Sequence, residues 1–180
     1  MAFGQLALGA TASQLMPDKK LRHDKLLTHW AAHLLANANA LPVTTHIVAP
    51  DAIVQLRPLD TADAQRHLDA LLAAFAAGLC APLPLARKTA FAWLQVEAAN
   101  AKAPPDKQKS AAALADATAA VASRHYDHSD GEHGRGEVDE EPALARSWPD
   151  FAALRAAGFE DWLHLYRPLL DAACVVDDDA

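Results

Sequence analysis

The sequence predicts a helix-rich α/β protein built as one domain, with a small antiparallel sheet flanked by several helices. Two β-rich runs, residues 43–49 and 53–58, lie on either side of the turn-forming stretch Ala-Pro-Asp-Ala and indicate a hairpin. Apolar residues recur at helical spacing before and after that hairpin. A chain of 180 residues is long enough for one domain with its own core, so we expect residues 1–180 to form a single domain.

Helices are predicted on both sides of the hairpin. A helix over about residues 22–37 is indicated by apolar residues at helical spacing, namely Leu26, Leu27, Trp30 and Leu34. Asp60 or Thr61 can cap the next helix, and Gly78 is suited to a left-handed turn at its end. The apolar stripe of this helix consists of Ala64, Leu68, Leu71, Leu72 and Phe75.

The second half of the chain is predicted to alternate between helices and breaks. A helix starts near Arg87 after the proline-containing residues 81–85 and ends at Pro104, and residues 106–123 form an alanine-rich helix. Residues 124–141 are crowded with His, Asp, Glu and Gly and predict a mobile acidic loop. A short helix over residues 150–157 and a final amphipathic helix over 159–170 follow, and residues 175–180 predict a solvated acidic tail.

Composition excludes several classes of protein. The formal net charge of -7 disfavours a free-standing nucleic-acid binder, whose surface is normally basic. Cys80 and Cys174 are too few for a disulfide framework or a four-cysteine zinc site, which fits a reducing cytoplasm. Residues 1–12 have no basic leader, and no apolar run approaches the ~20 residues that span a bilayer. We therefore expect a cytoplasmic protein without a membrane partner.

No stretch of the sequence carries a complete catalytic or cofactor-binding motif. The glycine spacings of phosphate loops and dinucleotide sites are missing, and no serine lies in a nucleophile elbow. One metal-like cluster exists, in residues 124–141, but its spacing matches no standard site and a solvated acidic linker explains it equally well. Its members are His125, Asp127, His128, Asp130, Glu132 and His133. We expect no catalytic residue, no bound metal and no cofactor.

Two further groups of side chains have structural explanations. His29 and His33 are four residues apart on a predicted helix, but Trp30 stands where zinc peptidases place a glutamate, so a core or boundary role is favoured. The tryptophans of the second half could stack on bases, but beside leucines on helices they are more often packing anchors. These tryptophans are Trp93, Trp148 and Trp162.

Several segments, taken in order, resemble the C-terminal region of the RecC family, the gamma subunit of bacterial exodeoxyribonuclease V (RecBCD). The likeness rests on residues 26–34 (LLTHWAAHL), 54–59 (VQLRPL), 78–94 (GLCAPLPLARKTAFAWL), 136–137 (GE), 146–149 (RSWP) and 165–170 (LYRPLL). It spans about residues 21–170, and the order of the segments carries it rather than any one motif. The residues that match the family as structural positions are Trp30, His33, Leu34, Pro58, Leu59, Gly78, Pro82, Leu83, Pro84, Trp93, Glu137 and Pro168.

The resemblance implies a fold related to the PD-(D/E)xK nucleases that has lost its active site, at the end of a longer subunit. That nuclease chemistry needs an aspartate and an acidic-x-Lys element on neighbouring strands to hold Mg²⁺. The second strand of the predicted hairpin offers Gln55 and Arg57 at the corresponding positions, so the site should not hold magnesium. Asp51 and Asp60 are explained by turn formation and helix capping, and no carboxylate pairs with either.

The resemblance also implies partners and a role. They are the other exodeoxyribonuclease V subunits (RecB and RecD) and, through the complex, double-stranded and unwound DNA. The expected role is subunit assembly and support of strand separation in double-strand-break repair by recombination. If a surface of this chain touches DNA, the candidates are Arg87, Lys88, Lys19, Lys20 and Arg22. Ordinary solvated charges are the favoured explanation of these residues.

Two alternatives from other classes remain open. One is a free-standing metal-dependent nuclease that uses carboxylates not recognised as a pair, which rests on the fold alone. The other is a small helical adaptor in which the tryptophan-bearing helices form a protein-binding groove. Magnesium-dependent DNA cleavage would favour the first, and partners outside the exonuclease complex would favour the second.

Overall fold

The computed structural model describes residues 5–39, 42–127 and 135–176. The described residues divide into two compact units, one within Met1–Leu79 and Pro168–Ala180 and the other within Cys80–Arg167. The expectation that residues 1–180 form a single domain stays a prediction beside this division. None of the helices in the described ranges has the length and apolar character that a bilayer crossing requires.

The described chain contains a four-stranded sheet and eight α-helices, which confirms the predicted mixture of helices and a small sheet. In chain order, the elements up to residue 102 are β1 (Gln5–Ala10), α1 (Leu27–Asn37), β2 (Val43–Val48), β3 (Ile53–Leu56), α2 (Thr61–Gly78) and α3 (Arg87–Lys102). They are followed by α4 (Ala111–Tyr126), α5 (Glu137–Glu140), α6 (Pro142–Ser147), α7 (Phe151–Ala156), α8 (Arg167–Ala172) and β4 (Ala173–Val176).

The sheet belongs to the first unit and has the strand order β1-β2-β3-β4. The predicted hairpin is confirmed, because β2 and β3 pair antiparallel with Thr45 opposite Leu56 and Val48 opposite Ile53. The prediction of a purely antiparallel sheet is wrong, since β1 pairs with β2 in parallel. A parallel neighbour needs a crossover connection, and α1 lies in the segment that returns the chain from β1 to β2.

The two edge strands, β1 and β4, were not predicted from the sequence. β1 has the sequence QLALGA, in which alanine and glycine give little strand propensity. β4 has only four residues and was predicted in part as tail, but Val175 lies opposite Val54 and Val176 opposite Ile53. The predicted acidic tail over residues 175–180 is therefore wrong for its first two residues, because pairing with β3 orders them, and the rest lies outside the described residues.

The strands of the hairpin have one buried and one more accessible face, as their alternation predicts. Val54 and Leu56 of β3 are fully buried, together with Ile47 of β2. Gln55 lies on the opposite face and is half-buried, and Arg57 just beyond the strand is exposed. We call the first face the inner face of the sheet and the second the outer face.

A buried asparagine joins α1 to the hairpin. Asn37, the last residue of α1, is fully buried, and its amide nitrogen donates to the carbonyl oxygen of Val43 at 3.1 Å. Its amide oxygen accepts from the backbone nitrogens of Val43 (2.9 Å) and Leu59 (3.1 Å). The Thr61 hydroxyl donates to the Asn37 carbonyl oxygen at 3.3 Å. One side chain thus fixes the end of α1 against the start of β2 and the chain leaving β3.

The helices of the first unit differ from prediction at their ends. The predicted helix over residues 22–37 begins as a 3-10 turn at His23–Lys25, and α1 itself starts at Leu27. α2 begins after Asp60, as predicted, although the Asp60 side chain makes no capping hydrogen bond. The left-handed turn predicted at Gly78 is wrong, because Gly78 is still helical and Leu79 after it has right-handed dihedral angles.

In the second unit, α3 and α4 pack against each other. Aromatic side chains of α3 also contact aromatic side chains from later in the chain. Phe91 lies edge-on to Tyr166 with ring centroids 5.5 Å apart, and Phe159 makes similar contacts with Trp93 (6.1 Å) and Phe151 (5.9 Å). Such edge-to-face pairs add to the stabilisation from apolar burial alone. The core of the second unit is therefore aromatic.

The chain between α4 and α8 is more broken than predicted. α4 runs to Tyr126, three residues beyond its predicted end, and α5 lies inside the predicted acidic loop. The final amphipathic helix predicted over residues 159–170 divides into a 3-10 segment, Phe159–Leu165, and α8. Gly158 interrupts the preceding helix as predicted, with a φ of 87° that favours glycine. The mobility predicted for residues 124–141 stays a prediction, and residues 128–134 lie outside the described residues.

Replacing the buried asparagine should destabilise the first unit. Asn37→Ala removes the acceptor of two backbone N–H groups and the donor to two carbonyl oxygens, and each buried polar group left unpaired costs about 1–3 kcal/mol. We expect a loss of about 3 kcal/mol or more in the free energy of unfolding, measured by urea denaturation.

Asn39→Ala is the matched control, because Asn39 is exposed and makes one hydrogen bond, to the Leu35 carbonyl. We expect this change to cost about 1 kcal/mol or less. Equal losses in the two variants would contradict the role assigned to Asn37.

Candidate functional site

The position expected to be a degenerate nuclease site lies on the outer face of the sheet. Strand register places Leu8, His46, Gln55 and Cys174 in one row across the four strands. The neighbours of His46 in this row are a leucine, an amide and a thiol, and the row contains no carboxylate. The row therefore lacks the carboxylate ligands through which proteins usually bind magnesium.

Arg57 is held by backbone groups at the end of the same strand. Its backbone nitrogen donates to the Ala172 carbonyl at 3.0 Å, and its guanidinium donates to the Asp171 carbonyl oxygen. The Arg57 carbonyl oxygen accepts from the ring of His33 at 3.1 Å. Arg57 therefore ties β3 to α8 and to α1, a structural use that the sequence did not indicate.

His33 is a buried structural histidine. Its Nδ1 lies 2.8 Å from the Thr45 hydroxyl oxygen and its Nε2 lies 3.1 Å from the Arg57 carbonyl, which can only accept. Nε2 must therefore carry a hydrogen, and in the neutral ring Nδ1 accepts from Thr45. Burial lowers the pKa of His33 below 6.5, opposed by the hydrogen bond to Arg57. With both nitrogens in use, His33 has no lone pair left for a metal.

The two aspartates near the hairpin have structural partners or positions. Asp51 in the hairpin turn accepts from the backbone nitrogens of Leu15 and Met16, both at 2.8 Å. The hydrogen bond from Leu15 is the main cause that lowers the pKa of Asp51. Asp60 occupies the N-cap position of α2. The sequence predicted the turn and cap positions but not the bonds from Asp51 to residues 15 and 16.

A buried carboxylate organises the start of α3 in the second unit. Glu137 is 2% exposed and accepts from the backbone nitrogens of Lys88 (3.1 Å) and Thr89 (2.9 Å) and from the Thr89 hydroxyl (2.9 Å). A negative charge at a helix N-terminus is favoured by the helix dipole and by its free N–H groups. Burial raises the pKa of Glu137, and the hydrogen bonds from Thr89 and Lys88 oppose that effect.

The surroundings of Glu137 are equally constrained. A Cβ on the preceding Gly136 would lie 2.1 Å from the backbone oxygen of Asp127, so no other residue fits there without a shift of the chain. Burial also raises the pKa of Tyr126 to about 12, with the charge of Glu137 adding to it, and the Tyr126 hydroxyl donates to the Trp148 carbonyl at 2.7 Å. Glu137 was singled out from the sequence only as a family-matching position, and its helix-capping role was not foreseen.

The basic residues proposed for DNA contact are differently placed in the two units. Arg87 pairs with Glu141 at 2.9 Å, and Lys88 pairs with Glu140. In the first unit, Lys19 and Lys20 are exposed, whereas Arg22 pairs with Asp24 at 3.2 Å. DNA contact by these residues stays a prediction, and a phosphate at Arg87 or Lys88 would have to compete with an ion pair.

The metal-like cluster of residues 124–141 is only partly described. Asp127 has one oxygen 2.6 Å from the Phe151 backbone nitrogen and the other 2.6 Å from the Ser123 hydroxyl, so hydrogen bonds already occupy it. His125 is exposed on α4. The remaining members, His128, Asp130, Glu132 and His133, lie outside the described residues. Within the three described ranges, no group of three His, Cys, Asp or Glu side chains is arranged to hold a metal.

The residues that matched the family pattern differ in how far they are buried. The buried ones are Trp30, His33, Leu34, Pro84, Trp93 and Glu137. The half-buried ones are Leu59, Leu83 and Pro168, and the exposed ones are Pro58, Gly78 and Pro82. Of the tryptophans of the second half, Trp93 is 4% exposed and donates to Glu97 at 2.9 Å, while Trp148 and Trp162 are half-buried. The packing role predicted for Trp93 fits this burial.

Large apolar side chains remain exposed in the first unit. Leu72, Phe75 and Leu79 follow one another at helical spacing along α2 and just beyond it, with exposed fractions of 57%, 67% and 74%. We call these three residues the α2 stripe. The others are Leu6, Leu8 and Val48 on the outer face of the sheet, and Leu35 on α1. The sequence grouped Leu72 and Phe75 in the apolar stripe of this helix, yet only Ala64 and Ala74 of α2 are buried.

The described residues form a mixed α/β domain, with a four-stranded sheet, helices and large apolar side chains exposed in its first unit. The model of the RecC C-terminal domain matches residues 4–98, which is more than half of the chain, and the chain belongs to that family. RecC is a subunit of RecBCD, the exodeoxyribonuclease V complex of DNA repair. The sequence has no significant match among curated proteins.

The family match confirms the resemblance drawn from the sequence and sets its limits. It includes α1, the hairpin, α2 and most of α3, where residues 26–34, 54–59 and 78–94 carried the likeness. It begins at residue 4 and so also includes β1, which the resemblance did not. The likeness drawn for Glu137 and Pro168 lies beyond the matched residues and stays a prediction.

Removing the carboxylate at the start of α3 should destabilise the second unit. Glu137→Ala leaves two backbone N–H groups and a fully buried hydroxyl without an acceptor, and part of this cost is offset because a buried charge is also removed. We expect a loss of about 2 kcal/mol in the free energy of unfolding.

Glu140→Ala is the matched control for Glu137→Ala. Its carboxylate pairs with Lys88 near the surface, with a side chain 38% exposed, and such pairs contribute about 1 kcal/mol or less. If both variants unfolded at the same denaturant concentration, Glu137 would not have the capping role.

The buried His33 should make stability depend on pH in the acidic range. Because its pKa is lowered in the folded state, the unfolded chain takes up the proton first as pH falls below 6.5. The contribution of neutral His33 is therefore fully present above pH 6.5 and is lost as pH falls through and below that value. Urea midpoints measured from pH 7.5 to 5.0 should fall less steeply for His33→Gln than for the unmodified chain.

Two other histidines, His23 and His67, also have a lowered pKa because of burial, and both are present in either protein. The difference between the two pH profiles therefore isolates His33. Parallel profiles would show that His33 does not titrate between the folded and unfolded states.

Proposed function

We propose that this chain is a non-catalytic C-terminal domain of an exodeoxyribonuclease V gamma subunit. It docks against the other subunits of RecBCD through apolar surface and supports the separation of DNA strands. The observation that carries the proposal is the family match over residues 4–98, within which all of the exposed large apolar side chains of the described residues fall. An apolar surface of this kind indicates a protein interaction site.

The proposed fold is a relative of the PD-(D/E)xK nucleases without their active site. A four-stranded mixed sheet flanked by helices, with the β2–β3 hairpin at its centre, is compatible with this relationship. Gln55 and Arg57 on that hairpin supply an amide and a guanidinium where the nuclease reaction needs a carboxylate and a lysine. The four-residue row at Gln55 contains no carboxylate, which supports a domain that does not cleave DNA.

The α2 stripe is the proposed docking surface for the helicase partner subunits. Its three side chains lie on one side of the helix, at positions i, i+3 and i+7, and the intervening Ala73 and Ala76 are also exposed. Small residues between large ones allow a partner to approach the helix closely. A central aromatic such as Phe75 is the kind of residue that dominates the binding energy of an interface.

Disrupting the α2 stripe should weaken subunit association. We expect Leu72→Ser combined with Phe75→Ser to reduce the affinity for co-expressed RecB and RecD at least ~10-fold, because truncating a central aromatic anchor typically costs about 2 kcal/mol or more. The measurement is quantitative pull-down of the partner subunits, with circular dichroism to verify folding.

Leu35→Ser provides the control, since Leu35 is a comparably exposed leucine on α1 outside the stripe. It should leave association unchanged. Undiminished association of the double variant would remove the stripe from the interface. Cleavage of linear DNA by the purified chain with Mg²⁺, abolished by a chelator, would instead contradict the non-catalytic assignment and favour the free-standing nuclease.

A further inference from the structure

Three exposed lysines cluster in the turn between α3 and α4. Lys102 is the last residue of α3, and Lys107 and Lys109 follow in the connection to α4. Residues 102–109 contain a single acidic residue, Asp106, so this segment carries a net positive charge in a chain whose net charge is -7. We call Lys102, Lys107 and Lys109 the lysine tip.

The turn that carries the lysine tip is fixed by its own hydrogen bonds. The backbone nitrogen of Lys109 donates to the Asn100 side chain at 2.7 Å, and the Gln108 amide donates to the Ala103 carbonyl at 3.0 Å. The backbone nitrogen of Lys107 donates to the Pro104 carbonyl at 2.8 Å, and Pro105 restricts the chain further. The lysines are therefore presented from an ordered backbone at one end of a packed helix pair.

Four other basic residues of the second unit are neutralised by ion pairs, whereas the lysines of the tip are not. Arg87, Lys88, Arg155 and Arg167 pair with glutamates of the same unit. Within the described parts of the chain, no ion pair involves a lysine of the tip. The three ammonium groups belong to one eight-residue segment with a single carboxylate, Asp106, and binding an anion would neutralise the remaining positive charge.

The surroundings of the lysine tip decide which anion fits. Its exposed neighbours are alanine, proline, glutamine and serine, with no large apolar, aromatic or arginine side chain between residues 101 and 113. Protein interfaces depend on such anchors, and single-strand base recognition depends on aromatic stacking. A surface of lysines alone fits backbone phosphates, which it contacts as mobile point charges without reading sequence.

We propose that the lysine tip binds the phosphate backbone of a DNA strand. This inference rests on the proposed function, because the DNA that RecBCD separates is the polyanion concerned. It adds a contact surface on residues 102–109, beyond residues 4–98 of the family match. It also places DNA contact away from Arg87 and Lys88, whose charges are already paired.

The test is fluorescence anisotropy of a labelled single-stranded oligonucleotide with the purified chain, titrated at several salt concentrations. The triple variant Lys102→Gln, Lys107→Gln, Lys109→Gln should bind at least ~10-fold more weakly at low salt. Its slope of log affinity against log salt should be shallower by about 2, as expected for three lost phosphate contacts to a single strand. All three side chains are exposed, and an unchanged thermal midpoint would verify the fold.

The matched control is Arg66→Gln, Arg124→Gln, Arg146→Gln, which changes net charge by the same amount at exposed positions outside the lysine tip. It should retain most of the affinity. Equal weakening in both triple variants would mean that net charge alone matters and would overturn the proposal. So would the absence of measurable binding by the unmodified chain, or competition by poly-glutamate as effective as that by unlabelled oligonucleotide, which would indicate an acidic protein segment.

Failure of this inference is distinguishable from failure of the proposed function. Pull-down of RecB and RecD depends on the α2 stripe, and the lysine-tip variant should leave it unchanged. Intact association without oligonucleotide binding overturns only the lysine tip. Lost association with intact binding affects only the docking surface.

Discussion

The first unit depends on a single buried polar connection, the side chain of Asn37. A parallel β1–β2 pair requires the chain to leave the sheet through α1 and return to it. The position at which β2 starts then determines its register with β1. Asn37 fixes the start of β2 because its side chain forms hydrogen bonds with both the backbone nitrogen and the carbonyl oxygen of Val43. It also accepts a hydrogen bond from the backbone nitrogen of Leu59. His33, one turn earlier, bonds Thr45 and Arg57. Both β2 and the chain leaving β3 are thus anchored to one helix through groups that would be costly to bury unpaired.

Glu137 has a comparable position in the second unit. It approaches α3 from a part of the chain almost fifty residues later and supplies the acceptors that the first N–H groups of the helix lack. The ion pairs from Arg87 to Glu141 and from Lys88 to Glu140 lie beside it. Because the carboxylate is buried, it must be paired to be tolerated, and three hydrogen bonds pair it. In both units, therefore, charged or strongly polar side chains that could suggest chemistry are engaged in holding the fold.

The sequence predicted what depends on local pattern and missed what depends on distant partners. The hairpin, α2 and α3 follow from alternation, capping residues and proline breaks within a few residues of each element. β1 and β4 do not, because QLALGA has little strand propensity and ACVV is only four residues long, and both are strands through pairing with β2 and β3. Spacing correctly placed Leu72 and Phe75 on α2 but not their exposure, since periodicity reveals an apolar stripe and not what covers it. Asn37, Asp51 and Glu137 took their roles from residues 6 to 49 positions away, which no local pattern indicates.

The proposed loss of a nuclease active site has a physical consequence for stability. Carboxylates clustered to hold Mg²⁺ repel one another when the metal is absent, so an active site is a cost to the fold. At Gln55 the outer face of the sheet carries no such cluster, and Arg57 uses its guanidinium and backbone to bond α8 and the end of the sheet. In the proposed non-catalytic domain, this strand is free of that repulsion and its side chains serve packing. The α2 stripe of the first unit is apolar and the lysine tip of the second unit is charged, which suits the two proposed contacts, one with protein and one with phosphate.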